Sequence, residues 1–278
     1  MKIANYAGRA VLIRNDQVID IEKASAGKFG PDLMSIYERW SEFVAAASSF
    51  SLTDGEALIE SKLLSPIPAP RQVFGIGLNY HSHAKEAGVG APAIPPVFTK
   101  YPSSLSGPFA NIPRSGETVD WEAEVVVVIG KSARNVSEAD AWSHVAGLSV
   151  GQDISARNVQ FLAGGQFSLG KSYEGFGPIG PWLVTLDEVK DPDDLHITCK
   201  INGEVTQNES SKDMVFNVSQ LINQISAVTT LWPGDIIFTG SPAGVGLFEQ
   251  PSRYLQVGDV VETKVEGIGT IRNNVVAG

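Results

Sequence analysis

The sequence predicts an α+β protein built mostly from β-strands. After residue 69, short apolar segments rich in Val and Ile recur between Gly and Pro turns, a pattern typical of strands. Two helical segments interrupt them, so strands and helices do not alternate as they do in a doubly wound parallel sheet. At 278 residues the chain is long enough for one large domain or two unequal ones.

The first part of the chain predicts a small α/β domain. Residues Arg9–Ala24 have the pattern of a hairpin that turns near Asn15-Asp16. A helix is expected over Pro31–Ala47, where apolar residues recur at helical spacing. The proline-rich segment 65–70 then interrupts every regular pattern and predicts a stiff connector. We therefore expect a small N-terminal domain, residues 1–68, and a larger domain, residues 69–278.

The second part predicts eight strands and two helices. One helix should begin at Ser137, which opens a capping-box pattern, and end near Ala146, and an amphipathic helix should span 217–230. The expected strands are Gln72–Gly77, Trp121–Ile129, Ala146–Gln152, Trp182–Thr185, His196–Ile201, Ile236–Thr239, Val260–Val265 and Gly269–Val275.

Composition and charge exclude several classes of protein. The formal net charge of −10 argues against nucleic acid or an anionic membrane as a partner, because both select basic surfaces. Cys199 is the single cysteine, so an intrachain disulfide is impossible and a reducing compartment fits. No apolar run approaches membrane-spanning length, and the N-terminus lacks the apolar core of a signal peptide. These features predict a cytoplasmic protein.

Three acids precede the longest run of valines. Side chains in a strand alternate between its faces, so Asp120, Glu122 and Glu124 point the same way. Carboxylates that lead into a buried strand repel one another and resist burial, and a hard divalent cation would neutralise them. The alternative is a strand end whose acids face water.

A second cluster of reactive side chains follows the strand at 72–77. If residues 79–86 form a helix, His83 and Glu86 stand at i and i+3 and meet on one side. A carboxylate that orients an imidazole is what a water-activating general base needs, although an exposed His/Glu pair is the simpler interpretation. Residues Gly88–Ile94 downstream have the composition of a flexible lid.

The remaining motifs are ambiguous taken alone. Gly75 and Gly77 begin a dinucleotide fingerprint, but Tyr80 takes the third glycine position, so a nicotinamide cofactor is not expected. The glycine-rich segment 240–246 lacks the Lys of a phosphate loop; it is either a tight turn or a nest of backbone N–H groups for a carboxylate. Asp153 with Arg157 could be a structural pair, and Lys171 in its Gly-rich turn could be solvated.

In their order, these motifs resemble those of the fumarylacetoacetate hydrolase (FAH) family. The resemblance covers residues from about 72 to the C-terminus and rests on the following blocks: Asn79-Tyr80-x-x-His83-x-x-Glu86, Glu122-x-Glu124, Asp153-x-Ser-Ala-Arg157, Gly170-Lys171-Ser172, Asn202-Gly203-Glu204, Pro233-Gly234-Asp235 and Thr239-Gly240-Ser241-Pro242-x-Gly244-Val245-Gly246.

This resemblance implies a fold, a metal and a set of site residues. The fold would be a mixed β-sandwich roll preceded by a small α/β N-terminal domain, and the protein would be a homodimer. Each subunit would hold one Mg²⁺ or Mn²⁺ on Glu122, Glu124 and Asp153. The catalytic residues would be His83, Glu86 and Lys171, and the substrate-binding residues would be Arg157, Gln160 and Thr239. Asp120 is not a metal ligand in this family and would instead lie next to one of the ligands without binding the metal.

The implied chemistry is that of 2-oxo acids. The first hypothesis is a metal-dependent hydrolase that cleaves a C–C bond in a 2,4-dioxo acid, an acylpyruvate, through a metal-stabilised enolate, with water activated by His83 and Glu86. The alternatives are oxaloacetate decarboxylation, hydratase or isomerase chemistry on an unsaturated 2-oxo acid, and a non-enzymatic metal-binding dimer. Lys100 is either a surface residue or a positive charge in the pocket, which would favour a substrate with a second carboxylate.

Overall fold

Two β-sheets packed face to face form the body of the protein. The structure is a computed structural model that describes residues 1–52, 55–162 and 164–278. The larger sheet has twelve strands and the smaller has five, and a two-stranded ribbon joins the segment before the valine run to the segment after Asp153. Most neighbouring strands are antiparallel, but three pairs are parallel, so the sheets are mixed. The predicted fold class, α+β and mostly β, is confirmed.

The strands are numbered in chain order. Those of the first half are β1 (Lys2–Tyr6), β2 (Arg9–Arg14), β3 (Gln17–Asp20), β4 (Glu56–Ala57), β5 (Leu63–Leu64), β6 (Val73–Ile76), β7 (Val97–Thr99), β8 (Leu105–Ser106), β9 (Ile112–Arg114), β10 (Val119–Asp120) and β11 (Ala123–Ile129). Those of the second half are β12 (Val145–Gln152), β13 (Ser155–Ala156), β14 (Gly177–Val184), β15 (His196–Ile201), β16 (Glu204–Ser210), β17 (Ile236–Phe238), β18 (Val260–Val265) and β19 (Gly269–Ala277).

The helices are short, with at most eleven residues among those that the structure describes. They are α1 (Ile21–Ala24), α2 (Leu33–Glu38), α3 (Trp40–Ala47), α4 (His81–Glu86), α5 (Arg157–Gln160) and α6 (Val218–Val228). The helix predicted to begin at Ser137 is a 3-10 helix, Glu138–His144, and α6 has the capping box in which the Asn217 and Gln220 side chains bond each other's backbone N–H. None of the described helices combines the length and apolar character needed to cross a bilayer.

Strand β11 is buried on both faces, which explains its continuous valine run. Val125 and Val127 belong to the core between the two sheets, whereas Val126 and Val128 belong to the core under α2 and α3. It lies between β12 and β17 in the larger sheet, whose order is β4-β3-β2-β1-β14-β12-β11-β17-β6-β7. A strand between two hydrophobic layers carries apolar residues at successive positions rather than at alternating ones.

The N-terminal residues extend this sheet. The predicted hairpin is present as β2 and β3, and Asn15 and Asp16 turn it with φ values of 49° and 58°. The helix predicted over Pro31–Ala47 is two helices, because Arg39 leaves helical geometry (φ −111°, ψ 27°) between α2 and α3. Strand β1 pairs with β14, so the sheet runs unbroken across residue 68. The division of the chain into domains at that residue stays a prediction.

Candidate metal and catalytic site

The register of β11 and β12 brings the three predicted metal ligands together. Glu122 and Glu124 stand at the start of β11, and the antiparallel pair Ala123↔Gln152 places the end of β12 beside them. Asp153, the next residue, donates its backbone N–H to the Glu122 carbonyl at 2.9 Å. One carboxylate oxygen from each of Glu122, Glu124 and Asp153 lies within 4.8 Å of the others. The two strands therefore bring together three acids from positions about thirty residues apart in the chain.

The charges of these acids are only partly compensated. All three are buried. Burial would raise the pKa of Glu122, but the Lys171 ammonium and the Arg157 guanidinium hold that pKa at about 2. The pKa of Glu124 is raised well above its usual range, by burial and then by the charges of Asp153 and Glu122. Three convergent carboxylate oxygens with surplus negative charge suit a hard divalent cation, so this triad can hold one.

Lys171 lies against two of the three acids. Its Nζ is 2.5 Å from Glu122 Oε2 and 2.8 Å from Asp153 Oδ2. Burial lowers the pKa of this lysine, but the Asp153 and Glu122 carboxylates outweigh it and the pKa is raised. The alternative of a solvated lysine is thereby excluded, since Lys171 is a buried cation that the triad keeps charged.

Lys100 lies behind the triad rather than in the substrate pocket. Its Nζ donates to Asp153 Oδ1 at 2.6 Å and to the Phe176 carbonyl at 3.1 Å, and it also contacts the Lys171 carbonyl. The side chain is 1% exposed. Neither sequence-based interpretation, a surface lysine or a charge for a second substrate carboxylate, is correct. The only local signal was its place just after a short strand, and that does not distinguish these roles.

Asp120 and Arg157 form a buried pair that continues to Glu122. Arg157 Nε donates to Asp120 Oδ2 at 2.8 Å, and Nη2 lies 2.7 Å from the same oxygen without making a hydrogen bond. Its Nη1 lies 2.8 Å from Glu122 Oε1. The same Nη1 donates to Gln160 Oε1, one helical turn along α5. Asp120 therefore acts on the triad through Arg157, which fixes one oxygen of Glu122. The sequence placed Asp120 on the right face but gave no sign of this connection.

The glycine-rich segment 240–246 is a nest for the protein's own carboxylates. Its backbone N–H groups donate to acids of the site: Gly240 to Glu124 Oε2 at 2.7 Å, Gly244 to Glu86 Oε1 at 2.9 Å and Gly246 to Asp120 Oδ1 at 2.8 Å. Gly244 has φ +100°, and a Cβ there would stand 1.9 Å from the Thr206 carbonyl oxygen. A side chain is therefore excluded at the residue that holds Glu86.

The predicted His/Glu pair is present at the cavity wall. His83 and Glu86 lie on α4, and His83 Nδ1 is 3.1 Å from Glu86 Oε2. The other Glu86 oxygen accepts from Gly244, so the carboxylate is held at both ends. The imidazole also packs edge-on against the Phe248 ring, with centroids 5.8 Å apart. His83 is 6% exposed, which rules out the simpler interpretation of an exposed pair.

The polar residues open into one cavity of about 250 Å³. Its lining includes five of the nine predicted site residues: His83, Glu122, Arg157, Gln160 and Lys171. Thr239 is not among the lining residues; its hydroxyl donates to the Val125 carbonyl at 2.9 Å, and Ser241 lines the cavity instead. The remaining lining residues are Ile76, Gly77, Leu78, Ala87, Val89, Phe98, Phe161, Phe167, Leu247 and Phe248. The acid Glu122, the base His83 and the ammonium group of Lys171 thus line one largely apolar pocket.

Comparison with known proteins places these residues in a family. Residues 72–276 match the model of the fumarylacetoacetate (FAA) hydrolase C-terminal domain. The oxaloacetate tautomerase FAHD2A, mitochondrial, of Bos taurus is 44% identical over 220 residues, which cover 78% of this chain and 70% of that protein.

Solved structures match over the whole chain. A Mycobacterium smegmatis protein provisionally given the name HpcE has a TM-score of 0.96 and 45% identity, with 100% of both chains covered. The maleylpyruvate hydrolase of Sphingobium sp. SYK-6, in complex with manganese(II) and pyruvate, has a TM-score of 0.78 and 28% identity, again over 100% of both chains. Because the family model matches residues 72–276, which are most of this chain, the chain belongs to the fumarylacetoacetate hydrolase family.

Proposed function

We propose that this protein is a divalent-metal-dependent hydrolase that cleaves the C–C bond of a 2,4-dioxo acid, an acylpyruvate. One observation carries the proposal: Glu122 of the buried acid triad with the adjacent Lys171, and His83 of the His/Glu pair, line the same cavity. The first group suits a 2-oxo acid and the second suits an attacking water. At about 250 Å³ the cavity admits a small substrate.

The proposed cofactor is one Mg²⁺ or Mn²⁺ per subunit, held by Glu122, Glu124 and Asp153. When bound there, such a cation would supply Lewis acidity toward the 2-oxo acid group of the substrate. The manganese and pyruvate in the structure of maleylpyruvate hydrolase support both the ion and the ligand class. The carboxylate donor set by itself suits either ion.

Lys171 would stabilise the charge that develops when the C–C bond breaks. Cleavage next to a carbonyl leaves an enolate, and that negative charge is the main barrier. Lys171 is charged, buried and fixed by two carboxylates at the polar end of the cavity. A positive charge held in place before the reaction needs no reorganisation during it.

His83 would activate the water. Its Nδ1 is oriented by Glu86, which leaves Nε2 free to accept a proton. The resulting hydroxide adds to the 4-oxo carbon, the C3–C4 bond breaks with its electron pair moving toward the 2-oxo group, and C3 is then protonated. The products are a carboxylic acid and a 2-oxo acid.

A second candidate is keto–enol tautomerisation of oxaloacetate. It is favoured by the curated relatives named oxaloacetate tautomerase, of which the Bos taurus protein is 44% identical. This reaction removes a proton from C3 and returns one to the oxygen or carbon of the same enolate, so it needs a base but no attacking water. Decarboxylation of oxaloacetate and hydratase or isomerase chemistry would pass through a related enolate.

The two candidates are separated by assaying both substrates on metal-stripped protein reloaded with Mg²⁺ or Mn²⁺. We expect acetylpyruvate to be cleaved only with metal, and His83→Ala to abolish the cleavage. The matched control is His196→Ala, which removes an exposed histidine of the smaller sheet. Interconversion of oxaloacetate without cleavage of any acylpyruvate would select the second candidate. Inactivity on both substrate classes with either metal would reject the proposal.

We also propose that the protein is a homodimer, as the family resemblance implies. Sedimentation at micromolar concentration tests this: two subunits per particle are expected, and a monomer would contradict it. The substrate is a small 2-oxo acid, and neither nucleic acid nor a membrane is expected to bind.

A further inference from the structure

We infer that the end of the substrate distant from the 2-oxo acid is apolar, so that acylpyruvates with an alkyl or aryl tail are bound in preference to dicarboxylates. The inference rests on the proposed function only for where the 2-oxo acid group lies, at the acid triad. It identifies the substrate class within the 2,4-dioxo acids.

The cations of the cavity lining lie beside the triad, where the 2-oxo acid group would bind, and not at the far end of the substrate. Among the lining residues that the structure describes, Arg157 and Lys171 are the only arginine and lysine. Arg157 forms ion pairs with Asp120 and Glu122, and Lys171 with Glu122 and Asp153. Arg157 Nη2 has no hydrogen-bond acceptor, and it lies on the same guanidinium that contacts Glu122, beside the triad. Lys100, the remaining buried lysine nearby, has Asp153 and two carbonyls as acceptors and does not line the cavity.

The neutral polar groups of the lining each make one hydrogen bond within the protein. Gln160 Oε1 accepts from Arg157 at 2.9 Å, and Ser241 Oγ accepts from the Gln207 side chain at 2.7 Å. His83 is paired with Glu86. Among the described lining residues, a carboxylate away from the triad would have no lysine or arginine beside it, and burying an unpaired charge is strongly unfavourable.

An aromatic wall of three phenylalanine rings begins beside Lys171. Lys171 Nζ lies 5.2 Å from the centre of the Phe98 ring. Phe98 packs edge-on against Phe167 with centroids 5.8 Å apart, and Phe167 against Phe161 at 6.1 Å. A substrate whose 2-oxo acid lies by Lys171 would therefore extend its acyl group along three aromatic rings. Apolar surface gains free energy from such burial, and a carboxylate does not.

The test is a pair of ligands that differ only at the far end. In 2-oxohexanoate and 2-oxoadipate the six-carbon chain ends in a methyl group or a carboxylate. Calorimetry on the magnesium-loaded protein is expected to show 2-oxohexanoate binding at least about tenfold more tightly. Equal or tighter binding of 2-oxoadipate overturns the inference, and so does failure of both compounds to bind at millimolar concentration.

A charge placed on the wall should reverse the preference. Phe161 and Val205 are each 52% exposed, but only Phe161 lines the cavity. Phe161→Lys is expected to shift the ratio of the two affinities toward 2-oxoadipate by about tenfold, because it supplies the missing cation. Val205→Lys is the control and should leave the ratio unchanged. An unchanged ratio in Phe161→Lys, with the fold verified by circular dichroism, also counts against the inference.

Neither ligand has a 4-oxo group, so this binding test does not depend on hydrolysis. A kinetic comparison of 2,4-dioxoheptanoate with 2,4-dioxoheptanedioate then separates the two ideas. If neither is cleaved, the proposed function fails and the binding preference is judged alone. If both are cleaved but the dicarboxylate has the higher kcat/KM, the inference fails and the proposed function stands.

Discussion

Replacing Lys100 with methionine tests whether a buried lysine supports the acid triad. The substitution keeps an unbranched side chain of similar length and removes the ammonium. Asp153 Oδ1 then loses a 2.6 Å ionic hydrogen bond, and the carbonyls of Phe176 and Lys171 lose a donor. Asp153 keeps Lys171 on its other oxygen, so its charge is not left wholly unpaired.

The expected loss of unfolding free energy follows from these three contacts. A buried hydrogen bond to a charged group contributes roughly 1.5–3 kcal/mol, and each neutral carbonyl that loses its donor costs roughly 1 kcal/mol. Burial lowers the pKa of Lys100, which shows that its ammonium resists desolvation, and methionine avoids that cost. The net effect of Lys100→Met should be a loss of about 3 kcal/mol.

Urea unfolding of the metal-free protein measures this difference. The control is Lys200→Met, since Lys200 is 39% exposed and pairs with Glu262 at 3.4 Å. That surface pair should contribute less than about 1 kcal/mol. A Lys100→Met protein as stable as the Lys200→Met control would refute the view that Lys100 supports the triad.

Three further predictions follow from the site and the core. Glu124→Gln should weaken Mn²⁺ binding at least about 100-fold by calorimetry, because it removes a ligand, whereas Glu262→Gln on the surface should leave it unchanged. Gly244→Ala should lower the unfolding free energy in urea by more than about 3 kcal/mol, because its Cβ would collide with Thr206. The control Gly203→Ala also has positive φ but open space around it, and should cost about 1 kcal/mol. Equal losses would contradict the collision with Thr206. Burial raises the pKa of the Cys199 thiol from its ordinary 9.0 to about 12, so a disulfide reagent at pH 8 should label it only after unfolding.

The same thiol sets a pH dependence of stability. Because its pKa is higher in the folded protein than in the unfolded chain, its stabilising contribution is complete below pH 9.0 and is lost as the pH rises toward about 12. Cys199→Ala should reduce the fall of the unfolding free energy with pH over that interval. The same slope of unfolding free energy against pH in both proteins would refute the raised pKa of the thiol.

The sequence by itself did not predict strand β16 (Glu204–Ser210) or the full extent of β14 (Gly177–Val184). It did determine the predominance of strands, the likeness of its motifs to one family and the identity of the acids. These signals are either local in the sequence or given by the order of motifs along the chain. For example, the valine run of β11 predicts a buried strand, and the i,i+3 spacing predicts that His83 meets Glu86. It missed the break at Arg39, since the apolar spacing continues through it.

Only the tertiary structure decided which partners the buried charges have. Lys100 faces Asp153 from fifty-three residues away, and the backbone of segment 240–246 reaches Asp120, Glu86 and Glu124 from more than a hundred. The physical reason is that the sequence around a charged residue is of the same kind whether its side chain is solvated or buried. Its role is fixed by the long-range strand pairing that removes it from water and leaves it one set of partners.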